Sequence, residues 1–152
     1  MDDWNKLILE LKKVRLELIS AIDKFPKEKR EEILFDKWSL KDILSHLSGW
    51  DKFTIQKINE FLNGKIPRWE ISIDKFNDLN VTKNKNKPWN EIYDEFVKLS
   101  LQNIKSYKII PTTKHDSLIW KDKKYTPKKF LMIDIDHYKN EHLSKILKVL
   151  NS

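Results

Sequence analysis

The chain contains no cysteine. That excludes disulfides, thiolate nucleophiles and cysteine-ligated zinc, so any thiol chemistry would need a thiol carried by a small molecule. Only two glycines occur in 152 residues, which argues against a sheet-rich fold full of tight turns. No stretch approaches the ~20 consecutive apolar residues of a membrane span. The N-terminal MDDWNKL is acidic and lacks the apolar centre of a secretory signal. The expectation from these absences is a cytoplasmic protein.

What is present is charge and helical periodicity. Charged residues make up 35% of the chain and apolar residues 39%, enough for one core in one domain, residues 1–152. The net charge of +7 invites a nucleic-acid reading. The lysines are spread over the whole length, however, and many neighbour Glu or Asp on polar helix faces. The charge is better read as a solvated surface than as a binding stripe.

Four amphipathic segments stand out. Trp4, Leu7, Ile8, Leu11, Val14, Leu18 and Ile22 recur at spacings of three and four, which predicts a helix from Asp3 to Phe25, ended by Pro26. Glu28 to Leu34 is a candidate short helix. Ser39 is an N-cap with Asp42 three residues on, opening a helix striped by Ile43, Leu47, Trp50, Thr54, Ile58 and Phe61. Gly64 and Pro67 end it. Residues 65–87 form a long connection, in which Ile71 to Asn80 has room for a turn or two of helix. Pro88 opens a third helix carrying Ile92, Phe96, Val97, Leu101 and Ile104, to about Tyr107.

Residues 108–125 are the least helical part, with Leu118 to Tyr125 a candidate hairpin or loop. Thr126 then caps a fourth helix, with Pro127 at its first position and a stripe of Leu131, Ile135, Tyr138, His142, Ile146 and Val149. Four such segments with long second and third connections predict an all-α four-helix bundle in which at least one connection crosses over.

The candidate chemistry lies with histidine. His46 flanks the buried stripe of the second helix, and His142 falls on that of the fourth. Imidazoles aimed inward from different helices suit a zinc, nickel, iron or copper ion. A third ligand is less simple. Residues four apart on an α-helix point within ~40° of each other, and residues five apart diverge by ~140°. His137, five before His142, therefore points elsewhere unless a π-bulge intervenes; such bulges occur at functional sites. Asp134, Tyr138 and His142 do form a column at four-residue spacing. Asp51, next to Trp50, is a carboxylate placed to orient His46 or accept a proton. His115, in a basic loop, reads as a bystander. Trp38 reads as a staple on the second helix, Trp50 as core and Trp89 as a plug. Trp69 and Trp120 sit in or beside the long connections.

The run Trp38-Ser39-Leu40-Lys41-Asp42-Ile43-Leu44-Ser45-His46-Leu47-Ser48-Gly49-Trp50-Asp51 resembles the signature of the DinB-like (YfiT-related) superfamily. There, a tryptophan and a capped helix start precede a histidine four residues before a tryptophan and an acidic residue. His137-Tyr138 through Glu141-His142-Leu143 and Ile146 is similar to the last helix of that family, and the likeness is closest to its ClbS/DfsB-type branch. The resemblance implies a bundle running up-down-down-up, often a homodimer. It also implies a divalent metal such as zinc or nickel at the open end, held by three histidines or by two and a glutamate. The activities it implies are thiol transfer or isomerisation with bacillithiol or mycothiol, or metal-dependent hydrolysis of a small electrophile.

Carried over, His46 matches the helix-two ligand and His142 the last one. The middle ligand falls on Tyr138, a departure from the pattern. Either His137 substitutes through an irregular helix, or Tyr138 takes another role, or the site is metal-free. The alternatives to an enzyme are a metal-free small-molecule-binding or protective protein, in which Tyr138, His142 and His46 form a polar cluster, and a non-catalytic interaction domain.

Overall fold

A computed structural model describes residues 2–66, 72–119 and 125–152. The chain is mostly helical. Helix α1 (Asp3–Asp23) opens on Asp2, whose carboxylate accepts from the Asn5 backbone N–H at 2.8 Å. A single 3₁₀ turn (Lys27–Lys29) and two short antiparallel strands, β1 (Ile33–Phe35) and β2 (Trp38–Ser39), follow. The expected short helix from Glu28 to Leu34 is thus a turn and a strand. Phe35 pairs with Trp38 across a tight reversal that holds Asp36 at φ 59°, and Ser39 leaves it already extended.

That extension makes Ser39 a working N-cap. Its hydroxyl accepts from Asp42 N while the Asp42 carboxylate accepts from Ser39 N, both at 3.1 Å, a reciprocal capping box that launches α2 (Leu40–Leu62). Gly64, at φ 79°, turns the chain after α2, a conformation in which a Cβ costs energy. Helix α3 (Ile73–Lys83) is longer than the turn or two expected there. Helix α4 (Trp89–Lys108) follows Pro88. The fourth segment is one continuous helical rod in three parts: α5 (Pro127–Asp136), a π-helical turn (His137–Leu143) and α6 (Ser144–Leu150). Thr126 caps it by accepting from Lys129 N. Of the candidate hairpin, Trp120 to Lys124 lie outside the described residues, as do Pro67 and Trp69.

Packing follows the stripes. Helix α1 lies against α4 and along the whole C-terminal rod, and α2 lies against α4 and α3. Leu11, Leu18, Ile22, Leu44, Leu47, Phe96, Leu131 and Ile146 are fully enclosed. Helix α3 comes close to α2 at one point, where a Cβ on Gly49 would overlap the buried Asn80 side chain. Among the described residues no helix is long and apolar enough to cross a membrane.

Candidate metal centre

Three histidines converge between α2 and the C-terminal rod. His46, His137 and His142 each offer a nitrogen within 4.8 Å of the others. Ring centroids lie 4.5 Å apart for His137 and His142, 5.2 Å for His46 and His142, and 5.5 Å for His46 and His137. The two rod histidines meet Nε2 to Nε2 at 2.9 Å, one ring N–H donating to the lone pair of the other.

The π turn makes this meeting possible. Its hydrogen bonds close five residues apart instead of four. Residues 137 and 142 are therefore one turn apart and share a side, and so do Tyr138 and Leu143. The same phase shift brings Leu143 into the core and leaves Val149, expected on the stripe, only partly buried.

The environment keeps these imidazoles neutral. Burial, and then the neighbouring His137, push His46 down to about 3, with Asn77 pulling weakly the other way. Burial, His137 and His46 push His142 to about 2. Burial also lowers His137, against the opposing pull of Asp134 and Glu141. A neutral imidazole is the form that ligates a metal. Nδ1 of His46 is buried with no hydrogen-bond partner. Trp38 packs on the His46 ring with centroids 4.8 Å apart, so it borders the site.

The triad fits a first-row divalent ion. Tetrahedral zinc with bonds of ~2.0 Å places its ligand nitrogens ~3.3 Å apart, so small side-chain rotations close the remaining gap. The donor set is all imidazole, which suits zinc and nickel.

Two expected site residues line a cleft beside the triad but bond other partners. Asp51 does not bond His46. Both its oxygens face Arg15, with Nη1 to Oδ2 at 2.7 Å and Nη2 to Oδ1 at 2.9 Å, and Oδ1 also accepts from the Tyr138 hydroxyl at 2.8 Å. Tyr138 is 1% exposed, and its hydroxyl lies 3.3 Å from the Leu47 carbonyl oxygen. Both groups are engaged in this network, and burial raises the Tyr138 hydroxyl well above its ordinary value. Loss of water raises Asp51 to about 6 against the pull of Arg15, so it stays anionic at neutral pH.

Arg15 is the residue that pattern reading missed. It is 1% exposed, and Nη2 also donates to Asp134 Oδ1 at 3.0 Å while Nη1 reaches Ser100 Oγ at 3.2 Å. Its guanidinium carbon stands 3.3 Å from the Tyr138 ring centroid. The other oxygen of Asp134 accepts from the Tyr107 hydroxyl at 3.1 Å and from Asn103 at 3.3 Å. The signal was its position, four residues after Leu11 and three before Leu18, on the buried stripe.

Two clefts flank the triad. One, of about 360 Å³, is lined by Trp50, Phe130, Ile133, Asp134 and Tyr138 among others. The second, of about 810 Å³, is lined by Phe35, Trp38, Ile43, His142, Lys145 and Lys148 among others. His46, His137, Asn77 and Glu141 line both. Trp50 is only half-buried, and its ring N–H donates to Asn77 Oδ1 at 2.6 Å, so it walls a cleft in addition to packing on Phe53. His115 stands apart, stacked on Trp4 at 3.7 Å and bonded to the Ile110 carbonyl oxygen, a packing role. Trp89 packs under Arg30, 4.4 Å from its ring, and beside Tyr93.

No family model, curated protein or solved structure matches this chain.

Proposed function

We propose that this chain is a four-helix-bundle protein of the DinB-like kind, with His46, His137 and His142 holding a divalent metal, zinc or nickel, and that it acts on a small electrophilic substrate by thiol transfer or hydrolysis. The observation that carries this reading is the convergence of three neutral imidazoles from two elements within 4.8 Å. The bound ion would supply Lewis acidity and make a deprotonated nucleophile available at neutral pH.

The remaining chemistry falls to the chain. His46 is presented by α2, and His137 and His142 by the π turn. Trp38 shields one side of His46 from water. Asp51 and Tyr138 act as supports, not as acid or base. Glu141 is the exposed carboxylate that lines both clefts and lies close enough to His137 to influence its charge. It is the better candidate for moving a proton between a bound reactant and solvent.

A second reading has its own support. The direct His137–His142 hydrogen bond pairs the Nε2 atoms of those two rings without any ion. That favours a metal-free binding or protective protein with the same polar cluster.

Metal content of the purified, untagged protein decides between them, with and without added zinc or nickel. Near-stoichiometric metal, lost in His46→Ala, His137→Ala and His142→Ala alike, supports the metal site. No metal, and no change in melting temperature on adding it, overturns it.

A further inference from the structure

Consider how the rod is held on either side of the π turn. Upstream, Asp134 bonds Arg15 with one oxygen, and Tyr107 and Asn103 with the other. Tyr138, the second residue of the turn, lies against the Arg15 guanidinium and bonds Asp51, which Arg15 also holds. Asp134 and Tyr138 are four residues apart, the spacing of one regular α turn. Arg15, reaching from α1, thus fixes the phase of the rod up to Tyr138. Downstream, Leu143, one residue out of step with the stripe through Tyr138 and His142, is sealed in the core and fixes its phase again. The two fixed phases differ by one residue. The extra residue has to be taken up between them, and the π turn is where it goes.

Without the upstream clamp, the rod can rotate to a regular helix. His137 and His142 would then diverge by ~140°. We infer that Arg15 is a positioning residue for the candidate metal centre: by holding Asp134 and Tyr138 it maintains the π turn that brings His137 onto His142. Where metal is concerned, this rests on the reading of the triad as a metal site; the histidine geometry itself does not depend on it.

The test separates positioning from loss of fold. Arg15→Met alone would leave buried Asp51 and part-buried Asp134 without their shared cation. The informative variant is therefore Arg15→Met with Asp51→Asn and Asp134→Asn, which leaves no unpaired charge in the interior. Tyr138→Leu is the second variant. It removes the ring beside Arg15 and leaves the ion pairs intact, should the triple variant fail to fold.

Two readouts are taken on each. In metal-free protein, NMR reports the ring contact between His137 and His142. Titration with zinc, and the visible spectrum of the cobalt(II)-loaded protein, report the centre. The ring contact is expected to disappear, zinc affinity to fall at least tenfold, and the cobalt spectrum to change. Both variants are then repeated in a background lacking the exposed Asn140. That deletion puts the two histidines four residues apart in a regular α-helix, and Tyr138 and Leu143 likewise. Here the clamp is no longer needed for phase, so zinc affinity and ring contact are expected to survive loss of Arg15.

Retention of the ring contact in the folded triple variant or in Tyr138→Leu overturns the inference. So does an equal loss in the deletion background, which would mark Arg15 as structural only. If the unaltered protein binds no metal, the proposed function fails, and the NMR readout alone still decides the role of Arg15.

Discussion

Arg15 holds Tyr138 from two directions: directly, with its guanidinium carbon 3.3 Å from the ring centroid, and through Asp51, which both residues bond. A buried cation that satisfies two carboxylates leaves both stranded when it is removed. Arg15→Met is expected to cost about 3–5 kcal/mol, the range for breaking a buried ion pair from one side. Arg15→Met with Asp51→Asn and Asp134→Asn should recover most of that loss, because no charge is left unpaired. Urea unfolding followed by circular dichroism measures both; equal losses in the single and triple variants would contradict the account.

Gly49 sits where α2 meets Asn80 of α3. In an open helix, Gly→Ala gains about 1 kcal/mol. Here the new methyl overlaps a buried amide, and overpacking of this kind costs about 1–3 kcal/mol. Gly49→Ala should therefore destabilise the fold or push α3 outward, and Gly49→Ala with Asn80→Gly should restore it. A melting-temperature comparison of the two is sufficient.

Metal-free protein should lose stability in mild acid. His46 and His142 titrate at about 3 and about 2 in the folded state, against an ordinary value of 6.5. Below 6.5 the unfolded chain takes up protons that the folded one refuses, so stability falls as pH drops. Asp51 acts in the opposite sense: raised from 3.8 to about 6, it takes up its proton earlier when folded. His137 is lowered as well, so three imidazoles oppose one carboxylate, and the net slope below pH 6.5 is downward. The same series on His46→Gln/His142→Gln should be visibly flatter between pH 6.5 and 4.

A bound ion should reverse part of that loss. Zinc at 100 times its dissociation constant stabilises the folded state by about 2.7 kcal/mol if the unfolded chain does not bind it. The gain in melting temperature should be present at pH 7.5 and absent in His137→Ala, which keeps the other two histidines. A full gain in His137→Ala would remove His137 from the centre.

The helices could be read from the sequence because their determinants are local. The Ser39–Asp42 capping box, Gly64 at positive φ, Pro88 before α4 and Thr126 before Pro127 each act within a few residues. His46 and His142 were legible because they lie on or beside apolar stripes. Arg15 was not, although it shares a stripe with Leu11 and Leu18. A basic residue reads as polar face unless its partners are known, and these lie 36 and 119 positions away. Asp51 was singled out as a carboxylate near His46, but its oxygens face Arg15. The five-residue spacing of His137 and His142 raised a π turn as one option. Nothing local selects it, because what selects it is the packing on either side.

The π turn also bears on how such a centre tolerates insertions and deletions. Adding one residue to a rod whose two histidines are four apart gives a rod whose histidines are five apart. If the helix absorbs the newcomer as a bulge, the side chains on both flanks keep their places in space. Spacing along the chain and position in the molecule are then separate properties. A pair of side chains counted as four apart in one chain and five apart in another can then occupy the same places in space.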